Sequence, residues 1–548
     1  MLAPYARRDR PGLAVLVQRR GRTWYRRAFG LGDLDRRTPM TPRSLFNVAS
    51  VSKQFTAAGT ILLAHCGRIG LDDDVRRWIP ELPRYRDPIR IRHLLGHTSG
   101  LRSFEALMLL AGWDFAKTSR RQVLDLIVRQ KHLNHRTGRG FVYCNSGYFL
   151  LHLIIERATG VPFETYLREF VFRPAGMHRT QVRDRHPFHR PGLVRSYMRT
   201  RDGVFHPMSP GGWGPLNAAG ASEVISCVDD LGRWLDVLRR RAVFSGRFHR
   251  EMHRKVRLAN GKKCNYAAGL YVAKERGIFS IGHAGGMPGS VSLTMRAPAS
   301  GTSVVVLANC DSIPVGEIAY NLAAMIITGK VVAPRCPWKE DAPNPKPAVP
   351  AGPANPRLLP FTGLFLQDGV KNEYWSIDAE GSRLKVTARW GSLTMEPAGT
   401  CRFRGGEGAP GSEFFFDLSA DGTPTGFREY KDGSLFKRFT AVTGANRLDL
   451  RALRSRAGRY YSRDLDSVHT IKVAGWHIIG DHPRRDIASR LNTDIDRQRF
   501  YPLDNRARVF AQGSARMRFT SDRTGRTRSM VLTMPESRVS RLTYTRLP

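Results

Sequence analysis

Apolar runs of two different lengths alternate along the first part of the chain. Residues 12–17 (GLAVLV) form a short uninterrupted apolar run of the kind found in buried strands. Residues 51–65, 149–158 and 228–239 instead space their apolar positions as helices do. Three strand-like runs follow, FSIGHAGG, VSLTMRAP and SVVVLANC. This pattern predicts a mixed α/β domain of about 330 residues.

A proline-rich stretch ends that domain. Nine prolines fall between Pro334 and Pro360, which favours an extended linker because proline interrupts helices and central strands. Beyond it, residues 363–387 and 458–473 both begin Gly-x-aromatic and continue with strand-like alternation. We therefore predict an α/β (α+β) domain over residues 1–333, a linker over 334–356, and two homologous small antiparallel β-barrels over 357–447 and 448–548.

The amino-acid composition excludes several classes of protein. The 548 residues are 41% apolar and 25% charged, which excludes wholesale disorder. Seven cysteines without a CxxC pair argue against a disulfide scaffold and a zinc ribbon. The apolar runs are shorter than the roughly 20 residues of a membrane span, and the N-terminus lacks the pattern of a secretory signal. We expect a cytoplasmic protein without a membrane partner, although an upstream leader would overturn that location.

The charge balance is unusual. Lys and Arg number 88 against 47 Asp and Glu, a net charge of +41. Nucleic-acid binding is one interpretation, but the chain shows no helix-turn-helix, C₂H₂ or RRM signature. Apart from residues 239–257 the cations are scattered, so solvated basic surfaces explain the charge more simply. A nucleic-acid-associated or non-catalytic binding protein is kept as the alternative from another class, and a homodimer is left open.

The first chemical motif is Ser50-Val51-Ser52-Lys53. It opens the helical pattern over residues 55–65, which Gly67 can end as a C-cap. Positions i and i+3 share a helix face, so the Ser50 hydroxyl and the Lys53 amine can meet. A helix N-terminus also favours a nearby oxyanion, and an amine in apolar surroundings can help to remove the hydroxyl proton.

The same pattern recurs as Ser434-Leu435-Phe436-Lys437, after an Asp432-Gly433 turn. There the context predicts a strand, on which i and i+3 point to opposite faces. That serine and lysine cannot cooperate.

Two further motifs lie in the first domain. Tyr143-Cys144-Asn145 offers a phenol as a proton-transfer group and an amide that can orient neighbours. Gly282-His283-Ala284-Gly285-Gly286 lies on a predicted strand, where glycines let a substrate backbone approach closely. Each motif alone is common. A tyrosine in a loop at a helix entrance would explain the first without any catalysis.

The order SxxK, YxN, HxG, about 90 and 140 residues apart, resembles the penicillin-recognising serine hydrolases, a superfamily of class C β-lactamases and D-alanyl-D-alanine peptidases. Four neighbouring sequence segments add to the resemblance: GDL at 32–34, TPMT at 38–41, VASVSKQFT at 48–56 and HTSGL at 97–101. Within the superfamily the chain is most similar to the D-aminopeptidases, which carry two antiparallel β-barrels after the catalytic domain. The resemblance thus implies a β-lactamase/transpeptidase-like fold.

It also implies roles. Ser50 would be the nucleophile of an acyl-enzyme, and Lys53 and Tyr143 would transfer protons, with Tyr143 protonating the leaving amine. Asn145 would hold Lys53 and the substrate amide, and His283 would orient Tyr143. The oxyanion hole would be the backbone N–H groups of Ser50 and Gly286, beside Gly285. No metal or organic cofactor is implied.

The sequence departs from the family pattern at two positions that affect how a substrate would fit. The family's residue before His-Thr-Ser-Gly is usually Thr and is Gly96 here, and its Tyr-Gly-x-Gly strand is Tyr266-Ala267-Ala268-Gly269. Enzymes that bind a substrate carboxylate usually carry Lys-Thr/Ser-Gly at the third motif, whereas His283 is a weaker cation and Ala284 lacks a hydroxyl.

The expected activity is therefore D-stereospecific release of N-terminal D-amino acids from a small peptide or amide. An esterase is the first alternative, and a β-lactamase or DD-peptidase fits less well. An aminopeptidase also needs an acid for the substrate ammonium. By position in the resembling enzymes, a loop of the last barrel would supply it, with Asp481 and Asp486 as candidates. Both could equally be surface turn residues.

Overall fold

The computed structural model divides into two compact units, Met1–Met108 with Trp113–Pro343 and Leu109–Gly112 with Asn344–Pro548. It describes residues 2–113, 115, 117–183, 190–199, 203–208, 220–329, 355–361, 363–368, 374–388, 391–406, 409–420, 424–431, 434–441, 456, 458–465, 467–474, 477–481, 497–502, 509–512, 515–522, 527–534 and 539–546.

The first unit is mixed α/β. Its strands are β1 Leu13–Arg19, β2 Arg22–Phe29, β3 Leu31–Asp33, β4 Thr38–Pro39, β5 Phe46–Asn47, β6 Gln181–Val182, β7 Tyr197–Arg199, β8 Phe205–Pro207, β9 Val224–Ser226, β10 Tyr271–Glu275, β11 Ile278–Met287, β12 Ser290–Ala297 and β13 Thr302–Ala308. Its helices are α1 Lys53–His65, α2 Ile91–Leu95, α3 Phe104–Ala111, α4 Arg120–Val128, α5 Asn145–Thr159, α6 Phe163–Leu167, α7 Val228–Arg240, α8 Gly246–His253 and α9 Val315–Thr328. Short 3₁₀ turns lie at Ala3–Tyr5, Ala49–Ser52 and Val75–Arg77, and a π turn lies at Arg168–Phe172.

The main sheet of this unit is six-stranded and antiparallel, in the order β10-β11-β12-β13-β1-β2. Strand β1 is the apolar run of the sequence, and it is buried because helices cover both faces. Val15 on one face belongs to a core cluster with Ile318 and Leu322 of α9. On the other face Leu16 lies against Gly232 of α7, where an added Cβ would come within 2.3 Å of the leucine. The continuous apolar run thus reflects two packed faces.

The second unit contains a short 3₁₀ turn, Pro356–Phe361, and two antiparallel sheets of eight strands each. The first sheet comprises β14 Gly363–Gln367, β15 Tyr374–Glu380, β16 Arg383–Ala388, β17 Gly391–Pro397, β18 Arg402–Gly405, β19 Ser412–Leu418, β20 Pro424–Lys431 and β21 Ser434–Ala441. The second comprises β22 Gly458–Ser462, β23 Ser467–Ala474, β24 His477–Asp481, β25 Arg497–Pro502, β26 Val509–Gln512, β27 Ala515–Ser521, β28 Thr527–Met534 and β29 Val539–Arg546.

Each sheet pairs its first strand with its last, β14 with β21 and β22 with β29. Aromatic side chains fill the first of the two: Phe365, Trp375, Phe403, Phe414, Phe416, Phe427 and Phe439 form one buried cluster. On β19 the alternate residues Phe414 and Phe416 both belong to this cluster, in keeping with the period-two pattern of the sequence.

The coarse prediction of the fold class is confirmed: a mixed α/β unit is followed by a strand-rich C-terminal region. The Pro-rich linker lies almost wholly outside the described residues. Among the helices that the structure describes, none is long and apolar enough to cross a membrane.

Candidate active site

The turn Ala49–Ser52, named the nucleophile turn because the sequence predicts Ser50 as the nucleophile, brings Ser50 and Lys53 into contact. Ser50 lies in the 3₁₀ turn Ala49–Ser52, directly before α1, rather than in the α-helix itself. In a 3₁₀ turn residues i and i+3 eclipse one another, and Lys53 Nζ is 3.0 Å from Ser50 Oγ. Ala49 has a φ of +46°, a left-handed conformation that few non-glycine residues adopt. The half-buried serine is thus presented on a strained turn.

Lys53 is fully buried, and its side-chain amine has defined neighbours. Nζ donates to the backbone carbonyl of Ala221 at 2.7 Å. It also lies 4.9 Å from the centre of the Tyr143 ring and 5.6 Å from that of Tyr148. The serine, the carbonyl and the two rings together define where the amine can be.

Tyr143 is held by His97. The two rings are 4.3 Å apart between centres. The backbone N–H of Cys144 donates to His97 Nδ1 at 3.1 Å, and that of Val142 donates to the His97 carbonyl at 3.0 Å. His97 itself has a φ of +55°. The histidine of the His-Thr-Ser-Gly segment, which in the sequence contributes only to the family resemblance, thus fixes the backbone on both sides of Tyr143.

Cys144 and Asn145 complete this motif. Burial raises the pKa of the Cys144 thiol to about 11, so the thiol is not a competing nucleophile. Asn145 begins α5, and its Nδ2 donates to a carboxylate oxygen of Glu105. The other Glu105 oxygen accepts from the Ser103 hydroxyl at 2.6 Å. Sequence reasoning did not find Glu105, since nothing near it in the chain distinguishes it from an ordinary helix-start acid.

His283 lies on β11 and is buried. Its Nδ1 is 2.5 Å from the Ala284 carbonyl and its Nε2 is 3.1 Å from the Tyr266 hydroxyl. The carbonyl can only accept, so Nδ1 donates and the Tyr266 O–H donates to Nε2. Burial, followed by the positive charge of Lys53, lowers the pKa of His283 to about 3. The imidazole is therefore neutral, and its hydrogen bond goes to Tyr266, with the Tyr143 ring centre 6.0 Å from its own.

Strand β11 runs directly against the nucleophile turn. A Cβ added to Gly285 would lie 2.3 Å from the Val48 carbonyl and 3.0 Å from the Ser50 amide nitrogen, so only glycine fits. Gly286 faces open space, and β10 accompanies β11 only as far as Gly282. The strand edge that follows lies beside Ser50 and is accessible at Gly286. This placement is what an oxyanion hole from Ser50 and Gly286 requires, and that role stays a prediction.

The predicted acids of the second unit are placed differently. Asp481 ends strand β24, where its backbone pairs with Thr470 and Arg497, so it belongs to a strand rather than a loop. Asp486 lies outside the described residues. Within the part of the chain that is described, no three His, Cys, Asp or Glu side chains cluster as metal ligands would.

Comparison with known proteins gives a consistent result. The family model described as "Beta-lactamase" matches residues 2–325. A penicillin-binding protein of Bacillus subtilis (strain 168) is 31% identical over 321 residues, which cover 54% of this chain and 67% of the relative. A D-aminopeptidase of Cereibacter sphaeroides (strain KD131) is 27% identical over 464 residues, which cover 83% of this chain and 80% of the relative.

Among solved structures, the octameric penicillin-binding protein homologue from Pyrococcus abyssi aligns with a TM-score of 0.54 at 22% identity. The alignment covers 80% of this chain and 97% of that one, and at this identity it bears on the fold alone. The matched residues 2–325 include all three motifs and the whole six-stranded sheet. The chain belongs to the beta-lactamase family and is a serine hydrolase of that family.

Proposed function

We propose that this protein is a D-stereospecific aminopeptidase that releases N-terminal D-amino acids from small peptides or amides through an acyl-enzyme on Ser50. The observation that carries the choice among family activities is the Glu105 carboxylate bonded to the amide of Asn145. It places an acid beside the YxN motif within the first unit, where the sequence offered none.

Acylation begins with Ser50. As its Oγ attacks the scissile carbonyl carbon, Lys53 in its neutral form takes the hydroxyl proton across the 3.0 Å contact. The negative charge that develops on the carbonyl oxygen is accepted by the backbone N–H groups of Ser50 and Gly286. When the C–N bond breaks, Tyr143 donates a proton to the leaving amine and recovers one from Lys53. Water then hydrolyses the ester, and its proton returns to Ser50.

The aminoacyl group carries its ammonium next to the carbon that Ser50 attacks. An acid that recognises this ammonium must therefore lie on the acyl side of the site, where Asn145 is expected to bind the substrate. Glu105 satisfies this requirement, since one of its oxygens already contacts Asn145. An ion pair in a closed cleft can contribute a few kcal/mol, whereas an exposed pair contributes less than about 1 kcal/mol.

The third motif supports an amine-recognising enzyme over one that binds a carboxylate. A neutral His283 supplies no fixed positive charge, and the following Ala284 supplies no hydroxyl donor. Both features weigh against a β-lactamase or DD-peptidase. An esterase is the second candidate function, because the contact between Ser50 and Lys53 is sufficient for ester hydrolysis.

The layout of the whole chain adds support. We propose that the two eight-stranded sheets are the small antiparallel β-barrels of a three-domain D-aminopeptidase, over residues 357–447 and 448–548, after a catalytic domain over 1–333. The Cereibacter sphaeroides D-aminopeptidase aligns across 83% of the chain, well beyond the catalytic part. The sequence leaves a homodimer open, and sedimentation would test whether the chain forms one.

The experiment is a substrate panel of D- and L-aminoacyl p-nitroanilides, p-nitrophenyl esters and nitrocefin, with Ser50→Ala as the control. A preference for the D-anilides by roughly a hundredfold over the L-anilides is expected, the scale on which a shaped pocket discriminates. Turnover of esters alone would transfer the assignment to the esterase, and rapid nitrocefin turnover would transfer it to a β-lactamase.

A further inference from the structure

A short segment, residues 220–224, is bonded to the nucleophile turn at several points. The Ala221 carbonyl accepts from Lys53 Nζ at 2.7 Å. The neighbouring Gly220 carbonyl accepts from the Thr56 hydroxyl at 2.7 Å, and the Val224 N–H donates to Ser52 Oγ at 3.1 Å. These bonds reach Ser52 and Lys53 themselves and Thr56, which lies three residues further along α1, so the position of this segment determines where the lysine amine lies.

A buried ion pair fixes the segment. Arg183 Nε donates to Glu223 Oε2 at 2.6 Å and a terminal guanidinium nitrogen lies 2.5 Å from the same oxygen. The arginine side chain is 0% exposed and the glutamate side chain 2%. The Arg183 backbone N–H also donates to the Glu223 carbonyl at 2.8 Å. A charged pair without access to water is held in one arrangement, because any other would leave a charge unpaired.

The backbone at Glu223 is strained. Its φ is +85°, outside the region that a side chain with a Cβ normally occupies. Such a conformation persists only where the surroundings over-determine it. Here the surroundings are the Arg183 contacts of its side chain and its carbonyl, which turn the chain so that the Ala221 carbonyl meets Lys53.

We infer that Arg183 and Glu223 are positioning residues that hold the Ala221 carbonyl, and through it the Lys53 amine, in the arrangement that activates Ser50. The inference rests on the proposed function only for Ser50 as nucleophile and Lys53 as its base, and it is independent of the substrate. Both side chains are buried away from the surface that a substrate could reach. An ion pair that merely stabilised the fold would affect the lifetime of the protein and leave the chemistry of the folded enzyme unchanged.

The test uses Glu223→Gln and Arg183→Met, with Asp230→Asn as the matched control. Asp230 is an equally buried carboxylate that pairs with Arg233 and accepts from the Thr180 hydroxyl and the Arg179 N–H, none of which belongs to the nucleophile turn or to residues 220–224. The full-length variants are compared at a temperature at which each is folded by circular dichroism. The readouts are the rate of fluorophosphonate labelling of Ser50 and kcat and KM for a p-nitrophenyl ester.

For Glu223→Gln and Arg183→Met, we expect the labelling rate and kcat to fall by roughly tenfold or more, because a misplaced base is costly even when it is present. KM should stay within about twofold, because neither residue binds substrate. Asp230→Asn should lower the melting temperature and change neither rate. Arg183→Lys, which keeps the charge, should recover part of the labelling rate.

The double variant Arg183→Met/Glu223→Leu separates positioning from stability. An apolar pair of similar volume often restores stability, but its contacts are not directional. We expect the melting temperature to recover while labelling stays slow. Recovery of both together, or unchanged labelling in the single variants, would overturn the inference. Failure of the proposed function would look different: the wild-type enzyme would label at Ser50 yet leave D-aminoacyl anilides intact.

Discussion

Two copies of the Ser-x-x-Lys pattern, one in each unit, differ in backbone conformation. The first copy is Ser50-Val51-Ser52-Lys53, and the second is Ser434-Leu435-Phe436-Lys437. The first lies on a 3₁₀ turn that runs into α1, and its two polar groups touch. The second lies at the start of strand β21, where Ser434 is exposed and Lys437 lies 5.0 Å from the Trp375 ring centre. Lys437 is engaged in packing over an aromatic ring, and the pattern acquires chemistry only where the backbone makes i and i+3 neighbours.

The two units also differ in where strain is found. Among the described residues, every non-glycine residue with a positive φ lies in the first unit, and three of them surround the site: Ala49, His97 and Glu223. The first eight-stranded sheet of the second unit is filled by a cluster of buried aromatic and aliphatic side chains. The first unit therefore holds unfavourable conformations that its contacts must maintain, whereas the sheet follows regular alternation.

The largest expected effect comes from the two serines. Ser50→Ala should abolish both hydrolysis and covalent labelling, since the acyl-enzyme is proposed to form on Ser50. Ser434→Ala should change neither, because its exposed hydroxyl lies at the start of strand β21 and Lys437 is engaged by the Trp375 ring and by Glu429. Measured turnover and mass-spectrometric detection of the fluorophosphonate adduct decide the matter. A comparable loss in both variants would mean that backbone conformation does not distinguish the two patterns.

The second expected effect concerns the proton-transfer pair. Lys53→Ala and Tyr143→Phe should each lower kcat by roughly a hundredfold or more, as is typical of positioned acid–base groups. The double variant should be little slower than the slower single one, because groups that act as a unit are not additive. Lys437→Ala in the second unit is the matched control and should leave kcat unchanged. Multiplicative losses in the double variant would place Lys53 and Tyr143 in separate steps.

Local periodicity explains what the sequence could predict. The apolar run at residues 12–17 and the helical spacing at 228–239 depend only on neighbours in the chain, and they match β1 and α7 closely. The contact of Ser50 with Lys53 spans three residues and was predicted from the same local rule. The repeat of two strand-rich modules is predicted from the sequence because both begin Gly-x-aromatic and continue with strand-like alternation.

The features that the sequence could not predict depend on contacts between residues far apart in the chain. The Glu105–Asn145 bond joins residues 40 apart, and the Lys53–Ala221 bond joins residues 168 apart. Ala221 acts through its backbone carbonyl, which every residue carries, so no residue type marks it. Tyr266 stands in a tetrapeptide that was noted only for departing from the family pattern, and its bond to His283 depends on the antiparallel placement of β11.

The third prediction asks which unit supplies the acid for the substrate ammonium. If Glu105 supplies it, Glu105→Gln should lower kcat/KM for a D-aminoacyl p-nitroanilide by roughly tenfold or more, or about 1.4 kcal/mol, mainly through KM. The same variant should leave a p-nitrophenyl ester without an amine nearly unaffected. The net charge of +41 repels a cationic substrate at long range, so the gain is local and should shrink with added salt.

The control for Glu105 is a variant in which the sequence of residues 480–489, which include Asp481 and Asp486, is scrambled. With Glu105 as the acid, the scrambled variant should keep its preference for the anilide over the ester. If instead only the scrambled variant loses that preference, residues 480–489 recognise the substrate amine and Glu105 does not. Parallel loss on both substrates in both variants would favour the esterase.

The smallest expected effect is a pH dependence of stability in the catalytic unit. Burial and the charge of Lys53 lower the pKa of His283 to about 3, from an ordinary value of 6.5. When folding lowers the pKa of a histidine, the unfolded chain takes up a proton at a higher pH than the folded protein does. The folded state therefore keeps its full stability above the pKa of the histidine in the unfolded chain, and it loses stability as the pH falls below that value. Between pH 7 and 5.5 this loss should be about 1 kcal/mol for His283 alone.

The measurement is urea unfolding of wild type and His283→Gln at both pH values, followed by near-ultraviolet circular dichroism. Glutamine can still accept from the Tyr266 hydroxyl but cannot titrate, so the variant should lose less stability on acidification, by that same amount. Other histidines of the first unit with lowered pKa values, His93, His249 and His253 at about 4, act in both proteins and cancel in the difference. Equal losses in the two proteins would mean that His283 takes up its proton in the folded state as readily as in the unfolded one. The neutral imidazole argued for the third motif would then be wrong, and with it the case against carboxylate-binding activities.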